Sequence, residues 1–208
     1  MDIFTKYISS QFKNPRGIGG VIISLLQNAI NRKMYKEAVL CVSEAGRSTS
    51  LNNVLDVGYG NGHLLEMIYR KQKIDLFGID ISDDAREMAE KKNRQAANNG
   101  QLHLAVGDVC HLEFSDASFS AVTSINTVYF WEDTVQGLKE IRRVLKEGAA
   151  FFNILYTKEY LDKVRYTAIG YKKFLPEELI MAGKEAGFRN VEVRDIVKGS
   201  SFVVIYTK

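Results

Sequence analysis

The chain has 208 residues, of which 46% are apolar and 25% charged, and its formal net charge is +3. This length suits one domain with a substantial core, and the combination of high apolar content and low net charge excludes a disordered chain. Two cysteines exclude a disulfide framework and a four-cysteine zinc site, and we expect no bound metal.

The apolar pattern alternates between the period of a strand and that of a helix. It predicts five strands, at residues 53–57, 76–80, 102–106, 119–125 and 149–155, with helices between most of them. The helix that begins near Val135 is predicted to end at Gly148. Strands that alternate with helices indicate a parallel sheet with both faces covered.

The two ends of the chain differ from this centre. Two helical stretches precede the first strand, at about residues 18–29 and 32–45, and are expected to cap the sheet. A helix that starts at Pro176 is predicted to end at Gly187. Two strands at residues 191–197 and 201–206 then form a hairpin, which gives the sheet an antiparallel edge.

Charge and hydropathy predict no polymer or membrane partner. Basic residues are interspersed with acidic ones on helical faces, so we expect no nucleic-acid binding. The chain begins without a signal-peptide pattern and has no apolar run long enough to span a membrane, which predicts no membrane contact and a cytoplasmic location.

A glycine-rich turn follows the first predicted strand. The segment holds Gly58, Gly60 and Gly62, and Asp56 lies two residues before the first of them. Glycines permit a tight turn and let the backbone approach a ligand, and the helix that follows starts with N–H groups that favour an anion.

Two more acids follow the next two strands. Asp80 ends the second predicted strand, and Asp108 comes directly after the third. Both are expected at the carboxyl edge of the sheet, where open α/β folds bind ligands, and an acid at the position of Asp80 suits the two hydroxyls of a ribose.

The glycine spacing bears on which nucleoside is bound. A dinucleotide fingerprint needs a third glycine where this chain has His63, and the last glycine comes one residue early at Gly62. An NAD(P)-dependent oxidoreductase is therefore the weaker alternative. An acid before the loop suits a ligand with an ammonium group.

The motifs together resemble the class I S-adenosylmethionine-dependent methyltransferases. The closest resemblance is to the type-11 group, which is similar to ubiquinone/menaquinone-biosynthesis methyltransferases. It rests on residues 54–62, 78–82, 107–109, 114–119 and 140–148. The resemblance implies S-adenosyl-L-methionine as cofactor. It also implies a Rossmann-like, doubly wound, mostly parallel seven-stranded α/β sheet, with an antiparallel C-terminal edge hairpin and an N-terminal helical cover.

The same resemblance implies roles for particular residues. The loop from Gly58 to Gly62 would lie against the methionine part of the cofactor, Asp80 would bind the ribose, and Asp108 would flank the adenine. The implied cofactor-binding set comprises Asp56, Gly58, Tyr59, Gly60, Asn61, Gly62, Asp80, Ile81, Asp108, Val109, Ile125 and Asn126. Tyr59 stands where many family members carry Cys or Ser, so its ring is expected to shape the pocket.

Acceptor residues are harder to assign. Tyr129 and Trp131 form an aromatic segment after the fourth strand, Tyr156 follows the fifth, and Arg16 lies in an N-terminal segment expected to act as a lid. His111 and Tyr129 are weak candidates for a catalytic base, so the catalytic residue stays undecided.

The sequence therefore predicts a single methyltransferase domain over residues 1–208. Residues 1–50 would form the helical cap, residues 51–155 the cofactor-binding core, and residues 156–208 the acceptor-side connection with the last helix and hairpin. We expect a small-molecule acceptor methylated on oxygen, nitrogen or carbon, by a monomer or homodimer. A non-catalytic S-adenosylmethionine-binding protein is a further alternative, and an RNA or protein methyltransferase is disfavoured because the chain has no basic stripe.

Overall fold

The computed structural model describes residues 17–48 and 51–208. Seven strands form one sheet: β1 (Asn53–Val57), β2 (Asp75–Asp80), β3 (Leu102–Val106), β4 (Phe119–Ile125), β5 (Leu145–Tyr156), β6 (Asn190–Val197) and β7 (Ser201–Thr207). The helices in the described ranges are α1 (Gly17–Ile30), α2 (Arg32–Ser48), α3 (His63–Lys71), α4 (Asp83–Lys92), α5 (Arg94–Asn98), α6 (Thr134–Val144), α7 (Lys158–Asp162) and α8 (Pro176–Glu185). Single turns of 3₁₀ helix lie at Val128–Phe130 and Arg165–Ala168.

The order of the strands in the sheet is β3-β2-β1-β4-β5-β7-β6. The first five strands are parallel, and β7 is inserted antiparallel between β5 and β6. The order reverses beside β1, since β2 lies on one side of it and β4 on the other. This switch point is where open α/β sheets bind ligands, at the carboxyl ends of the strands.

Helices cover both faces of the sheet. On one face, Leu138 of α6 and Leu179 of α8 join a buried cluster with residues of the central strands. On the other face, Ala38 of α2, Leu65 of α3 and Ala89 of α4 belong to a second buried cluster. This arrangement confirms the predicted doubly wound sheet with its antiparallel C-terminal hairpin and its helical cover.

The boundary between α6 and β5 differs from the prediction. The helix ends at Val144, and Leu145 is already extended and pairs with Phe119 of β4. Gly148 lies inside β5 with a φ of +73°, after which the pairing with β4 resumes at Ala150. The prediction was wrong because a buried leucine at helical spacing has the same pattern whether it ends a helix or begins a strand.

Within residues 17–48 and 51–208, no helix is both long and apolar enough to cross a membrane.

Candidate functional site

A cavity of about 380 Å³ lies at the carboxyl edge of the sheet, over the ends of β1, β2, β3 and β4. Its floor comes from the four segments that follow these strands, at residues 56–61, 79–81, 107–109 and 125–127. The parallel strands therefore bring together the glycine loop and the acids that the sequence predicted, although these are separated by up to fifty residues of chain.

The glycine loop is shaped by two different requirements. At Gly58, with a φ of +74°, a Cβ atom would collide with the side chain of Thr127. At Gly60, with a φ of +51°, a Cβ atom would have no heavy atom within 4 Å, so its bare backbone faces open space in the cavity. Gly58 is thus needed for packing, and Gly60 is the glycine that leaves room for a ligand.

Gly62 serves the packing of the loop and does not line this cavity. Its carbonyl accepts a hydrogen bond of 3.0 Å from Asn93 Nδ2, and a Cβ atom on it would lie 2.5 Å from that nitrogen and 2.8 Å from Ala89 Cβ. The contact of Gly62 with the cofactor stays a prediction. Gly62 lets α3 begin close against α4.

Tyr59 lines the cavity but is fixed from the other side. Its ring lies against Gly78, where a Cβ atom would collide with it, and its hydroxyl donates to Ala105 O at 3.2 Å. The glycine in β2 thus makes room for the ring. Tyr59 fastens the loop to β2 and β3.

Asp80 joins the end of β2 to the loop after β1. Its Oδ2 accepts from the Gly60 N–H at 2.9 Å, and its Oδ1 accepts from the Ser82 N–H at 3.1 Å. Burial raises the pKa of the Asp80 carboxyl, and the backbone N–H groups of Gly60, Ser82 and Ile81 oppose that rise. Each oxygen keeps a lone pair for a further donor, such as a sugar hydroxyl.

Asp56 is a second carboxyl in the cavity wall, only 3% exposed. Its Oδ1 accepts from Thr123 Oγ1 at 2.9 Å. Burial raises the pKa of Asp56 to about 7, and the nearby negative charge of Asp80 acts in the same direction, while the bond from Thr123 opposes it. A positively charged ligand group beside Asp56 would favour its ionised form.

The third acid lies at the far side of the cavity. Asp108 Oδ1 accepts from the Cys110 N–H at 2.9 Å, and Asp108 and Val109 both line the cavity. Ile81 lines it too and is 56% exposed, so it offers an uncovered apolar surface beside these residues.

The helical cover supplies residues that the sequence did not reveal. Gln27, Asn28 and Asn31 of α1 and the α1–α2 junction line the cavity, together with Tyr35 of α2. Tyr35 donates to Asn28 Oδ1 at 3.3 Å, and both burial and the charge of Asp56 raise its pKa. Spacings of four residues between Gln27, Asn31 and Tyr35 place them on one helical face, which is the signal that could have found them.

Asn126 marks the end of β4 and has a strained backbone, with a φ of +59°. Its Nδ2 lies 3.4 Å from Met34 Sδ, and its Oδ1 accepts from the Tyr129 hydroxyl at 3.0 Å. Positive φ in a non-glycine residue is uncommon and is concentrated at functional sites. Ile125 and Asn126 both line the cavity.

A second cavity of about 230 Å³, here named the tyrosine chamber, adjoins the first. Both cavities are lined by Gln27, Asn31, Asn126 and Phe130. The remaining lining residues of the chamber are Ile30, Tyr129, Tyr156, Tyr160, Leu161, Val164, Tyr166, Thr167 and Tyr171. Tyr156 at the end of β5 and the connection after it therefore provide about half of the chamber wall.

The predicted acceptor residues Tyr156 and Trp131 lie in different cavities. Tyr156 lines the chamber, whereas Trp131 lines the first cavity and donates from Nε1 to Thr127 Oγ1 at 3.1 Å. Arg16 lies outside the described residues, and so does most of the predicted lid.

His111 and Tyr129 are the two candidates for a catalytic base. His111 is exposed and lines neither cavity. Tyr129 is 2% exposed, and its hydroxyl accepts from the Tyr156 N–H at 2.6 Å while donating to Asn126. Burial holds the pKa of Tyr129 well above its usual value, so its hydroxyl stays neutral.

Comparison with known proteins places this geometry in a family. The family described as "Methyltransferase domain" matches residues 55–153. A ubiquinone/menaquinone biosynthesis C-methyltransferase from Geotalea daltonii is 27% identical over 74% of this chain and 77% of its own length. An uncharacterized methyltransferase, YdaC of Bacillus subtilis, is 24% identical over 69% of this chain and 75% of its own length.

A solved structure agrees over nearly the whole chain. The S-adenosylmethionine-dependent methyltransferase from Thermotoga maritima superposes with a TM-score of 0.68 at 20% identity and covers 98% of this chain and 99% of its own. Together, these matches support a class I S-adenosylmethionine-dependent methyltransferase. Its cofactor is S-adenosylmethionine, and the oxidoreductase alternative is set aside.

The cavity of this methyltransferase fits its cofactor on independent grounds. The open space above Gly60 is a cradle that any Cβ atom would fill. Four acids, Asp56, Asp80, Asp108 and Glu132, line the cavity, and its lining within the described residues includes no Lys, Arg or His. S-adenosylmethionine carries a net positive charge from its sulfonium and ammonium groups, so the charges are complementary.

Proposed function

We propose that this enzyme transfers a methyl group from S-adenosylmethionine to a small molecule bound in the tyrosine chamber. The observation that carries this proposal is the shared wall between the two cavities, at Asn31, Asn126 and Phe130. An acceptor in the chamber would meet the cofactor cavity there, at the end of β4.

The geometry of the first cavity supports cofactor-binding roles for several of its residues. Asp80 would accept the ribose hydroxyls, because its oxygens already point to the Gly60 and Ser82 N–H groups and keep lone pairs for more donors. Ile81 and Val109 would hold the adenine ring between apolar surfaces, with Asp108 beside it.

The opposite end of the cavity would hold the amino-acid part of the cofactor. Asp56 would pair with the ammonium group, and Asn28 and Tyr35 of the helical cover provide polar atoms at the same end. Gly60 leaves the room that this part needs.

The cofactor supplies an electrophilic methyl group on a sulfonium, which is already a good leaving group. The residues of the chain align the acceptor with it, in a chamber whose wall consists mainly of aromatic and aliphatic side chains. Alignment alone contributes a large part of the rate in such displacements. The Tyr129 and Tyr156 hydroxyls are engaged in hydrogen bonds, so these residues position the acceptor and do not move its proton.

We propose that this is a cytoplasmic enzyme, a monomer or homodimer, with no nucleic-acid or membrane partner. The free thiols of Cys41 and Cys110 support a reducing compartment, because thiols persist there.

The test is a screen of fractionated metabolite extracts with the purified enzyme and S-adenosylmethionine labelled in its methyl group. We expect label in a small molecule with the wild type and none with Gly60→Val, in which the cradle is filled. Label in protein or RNA alone, or no transfer despite tight cofactor binding, would contradict the proposal.

A further inference from the structure

The wall of the tyrosine chamber is rich in aromatic side chains. The chamber is lined by six aromatic rings and, within the described residues, by no Asp, Glu, Lys, Arg or His. Burial raises the pKa of Tyr156, Tyr166 and Tyr171, so these phenols are neutral. An anionic acceptor would find no counter-charge in this wall, and its transfer from water would be costly.

The rings of the chamber face in different directions. Phe130 and Tyr171 meet edge to face, with centroids 4.7 Å apart and an interplanar angle of 69°. Tyr166 meets Tyr171 at 62°, whereas Tyr156 and Tyr160 are stacked at 17° with centroids 4.5 Å apart. Rings that surround a small volume at steep angles are the arrangement that binds organic cations through their electron-rich faces.

Two amide oxygens lie where the chamber meets the cofactor cavity. Asn31 Oδ1 accepts from the Tyr156 hydroxyl at 2.8 Å, and Asn126 Oδ1 accepts from the Tyr129 hydroxyl at 3.0 Å. A carbonyl oxygen has two lone pairs, so each can accept one further N–H. The tyrosine hydroxyls hold both amides in this orientation.

The adjoining cavity adds a negative field. Asp56, Asp80, Asp108 and Glu132 line it, and neither cavity has a basic side chain in its described lining. This field favours a positively charged group in the chamber and disfavours a negative one.

We infer that the methyl acceptor is a small amine, which enters the chamber as an ammonium ion and is methylated on nitrogen. This inference rests on the proposed function of the chamber as the acceptor site. The rings bind the cation, and the amide oxygens of Asn31 and Asn126 hold its N–H groups toward the cofactor cavity.

Methyl transfer to the amine needs no reactant beyond the amine, the cofactor and water. The ammonium ion first loses a proton to water, which gives the free amine with a lone pair on nitrogen. The lone pair forms the new N–C bond while the S–C bond of the sulfonium breaks, and its electron pair stays on sulfur. The products are an N-methylammonium ion and a neutral thioether.

The first experiment uses the wild-type enzyme saturated with S-adenosylhomocysteine and two probes of the same shape. Choline carries a quaternary ammonium group, and 3,3-dimethylbutan-1-ol has a neutral tert-butyl group in its place. We expect choline to bind at least about tenfold more tightly by calorimetry. Equal binding, or tighter binding of the alcohol, would overturn the inference.

The second experiment uses two substitutions at one ring. Tyr171→Leu removes an aromatic face and should weaken choline binding about tenfold, whereas Tyr171→Phe keeps the face and should bind choline nearly as well as the wild type. Affinity for S-adenosylhomocysteine, measured first, should be the same in all three proteins. Equal choline binding by the Leu variant, with that affinity intact, would overturn the inference.

An activity assay distinguishes a failure of the amine inference from a failure of the proposed methyl transfer. With labelled S-adenosylmethionine, phenethylamine should be methylated, and hydroquinone and phenylacetate should not. Methylation of hydroquinone alone would overturn the amine inference and leave the proposed small-molecule methyl transfer standing. Failure to bind S-adenosylhomocysteine at all would instead contradict the proposed function.

Discussion

The carboxylate of Asp80 accepts a 2.9 Å hydrogen bond from the backbone N–H of Gly60. The acid at the end of β2 therefore holds the loop that follows β1 in place, in addition to any contact with a ligand. Because the loop is fixed before the cofactor arrives, less conformational freedom is lost on binding, which favours affinity.

Replacing this acid should weaken cofactor binding. Asp80→Ala removes the charge-assisted bonds to the ribose and frees the Gly60 N–H, so we expect a loss of about 1.5–3 kcal/mol in the affinity for S-adenosylhomocysteine. Isothermal titration calorimetry measures it. The matched control is Asp83→Ala, which removes an exposed acid that lies just beyond the cavity and pairs with Arg86. Unchanged affinity in a folded Asp80→Ala protein would contradict the ribose assignment.

Two glycines allow a matched test of the cradle. Gly60 and Gly100 both have positive φ, +51° and +70°, and a Cβ atom on either would meet nothing within 4 Å. Valine at either position should therefore cost a similar amount of stability, about 1–2 kcal/mol. Only Gly60→Val should lose binding of S-adenosylhomocysteine, because only Gly60 lines the cavity. If both variants bind as the wild type does, the cradle assignment fails.

The buried carboxyl of Asp56 predicts a pH-dependent stability. Its pKa in the folded protein is raised from 3.8 to about 7, so between these values the folded state holds a proton that the unfolded state has lost. Stability from this group is therefore present at low pH, falls as pH rises through this range, and is constant above it.

Asp56→Asn should remove that dependence. It keeps an oxygen that can accept from Thr123, and we expect it to be more stable than the wild type at pH 8, by at most about 4 kcal/mol, and similar near pH 4. Urea unfolding at the two pH values provides the comparison. If the two proteins differ in stability by the same amount at both pH values, Asp56 has an ordinary pKa.

The same residue predicts a pH-dependent affinity. An ammonium group beside Asp56 favours its ionised form, so binding of S-adenosylhomocysteine should release a proton below pH 7 and tighten as pH rises from 6 to 7.5. The Asp56→Asn variant should bind more weakly, with an affinity that is flat over this range. An equally flat profile for the wild type would mean that the ammonium group lies elsewhere.

Sequence patterns predicted the sheet and the carboxyl-edge acids well, because both depend on local signals. Polar or glycine residues stand at or directly after the ends of β1, β2, β3 and β4, and parallel strands bring such ends to one edge. The roles of Gly58 and Gly62 were not predictable, since they depend on Thr127 and Asn93, which are far away in the sequence.

The tyrosine chamber could not be predicted from the sequence. Tyr156 and the tyrosines that follow it are close together in the sequence, but the cavity that they line depends on the helical cover, whose Asn31 accepts a hydrogen bond from Tyr156 across 125 residues. An amphipathic pattern predicts that a helix packs on the sheet. It does not specify which of its polar residues turn toward a cavity.

Tyr129 offers a test of how the proton is handled. Its hydroxyl is the link between the Tyr156 N–H and Asn126, so Tyr129→Phe leaves a buried N–H without its partner and should cost about 1–3 kcal/mol of stability. Methyl transfer should slow at every pH because Asn126 loses its orientation, while the shape of the pH–rate profile stays that of the wild type. His111→Ala, which changes an exposed side chain, should alter neither the rate nor the profile. Loss, in Tyr129→Phe alone, of a limb on which the rate rises with pH would instead make this hydroxyl the catalytic base.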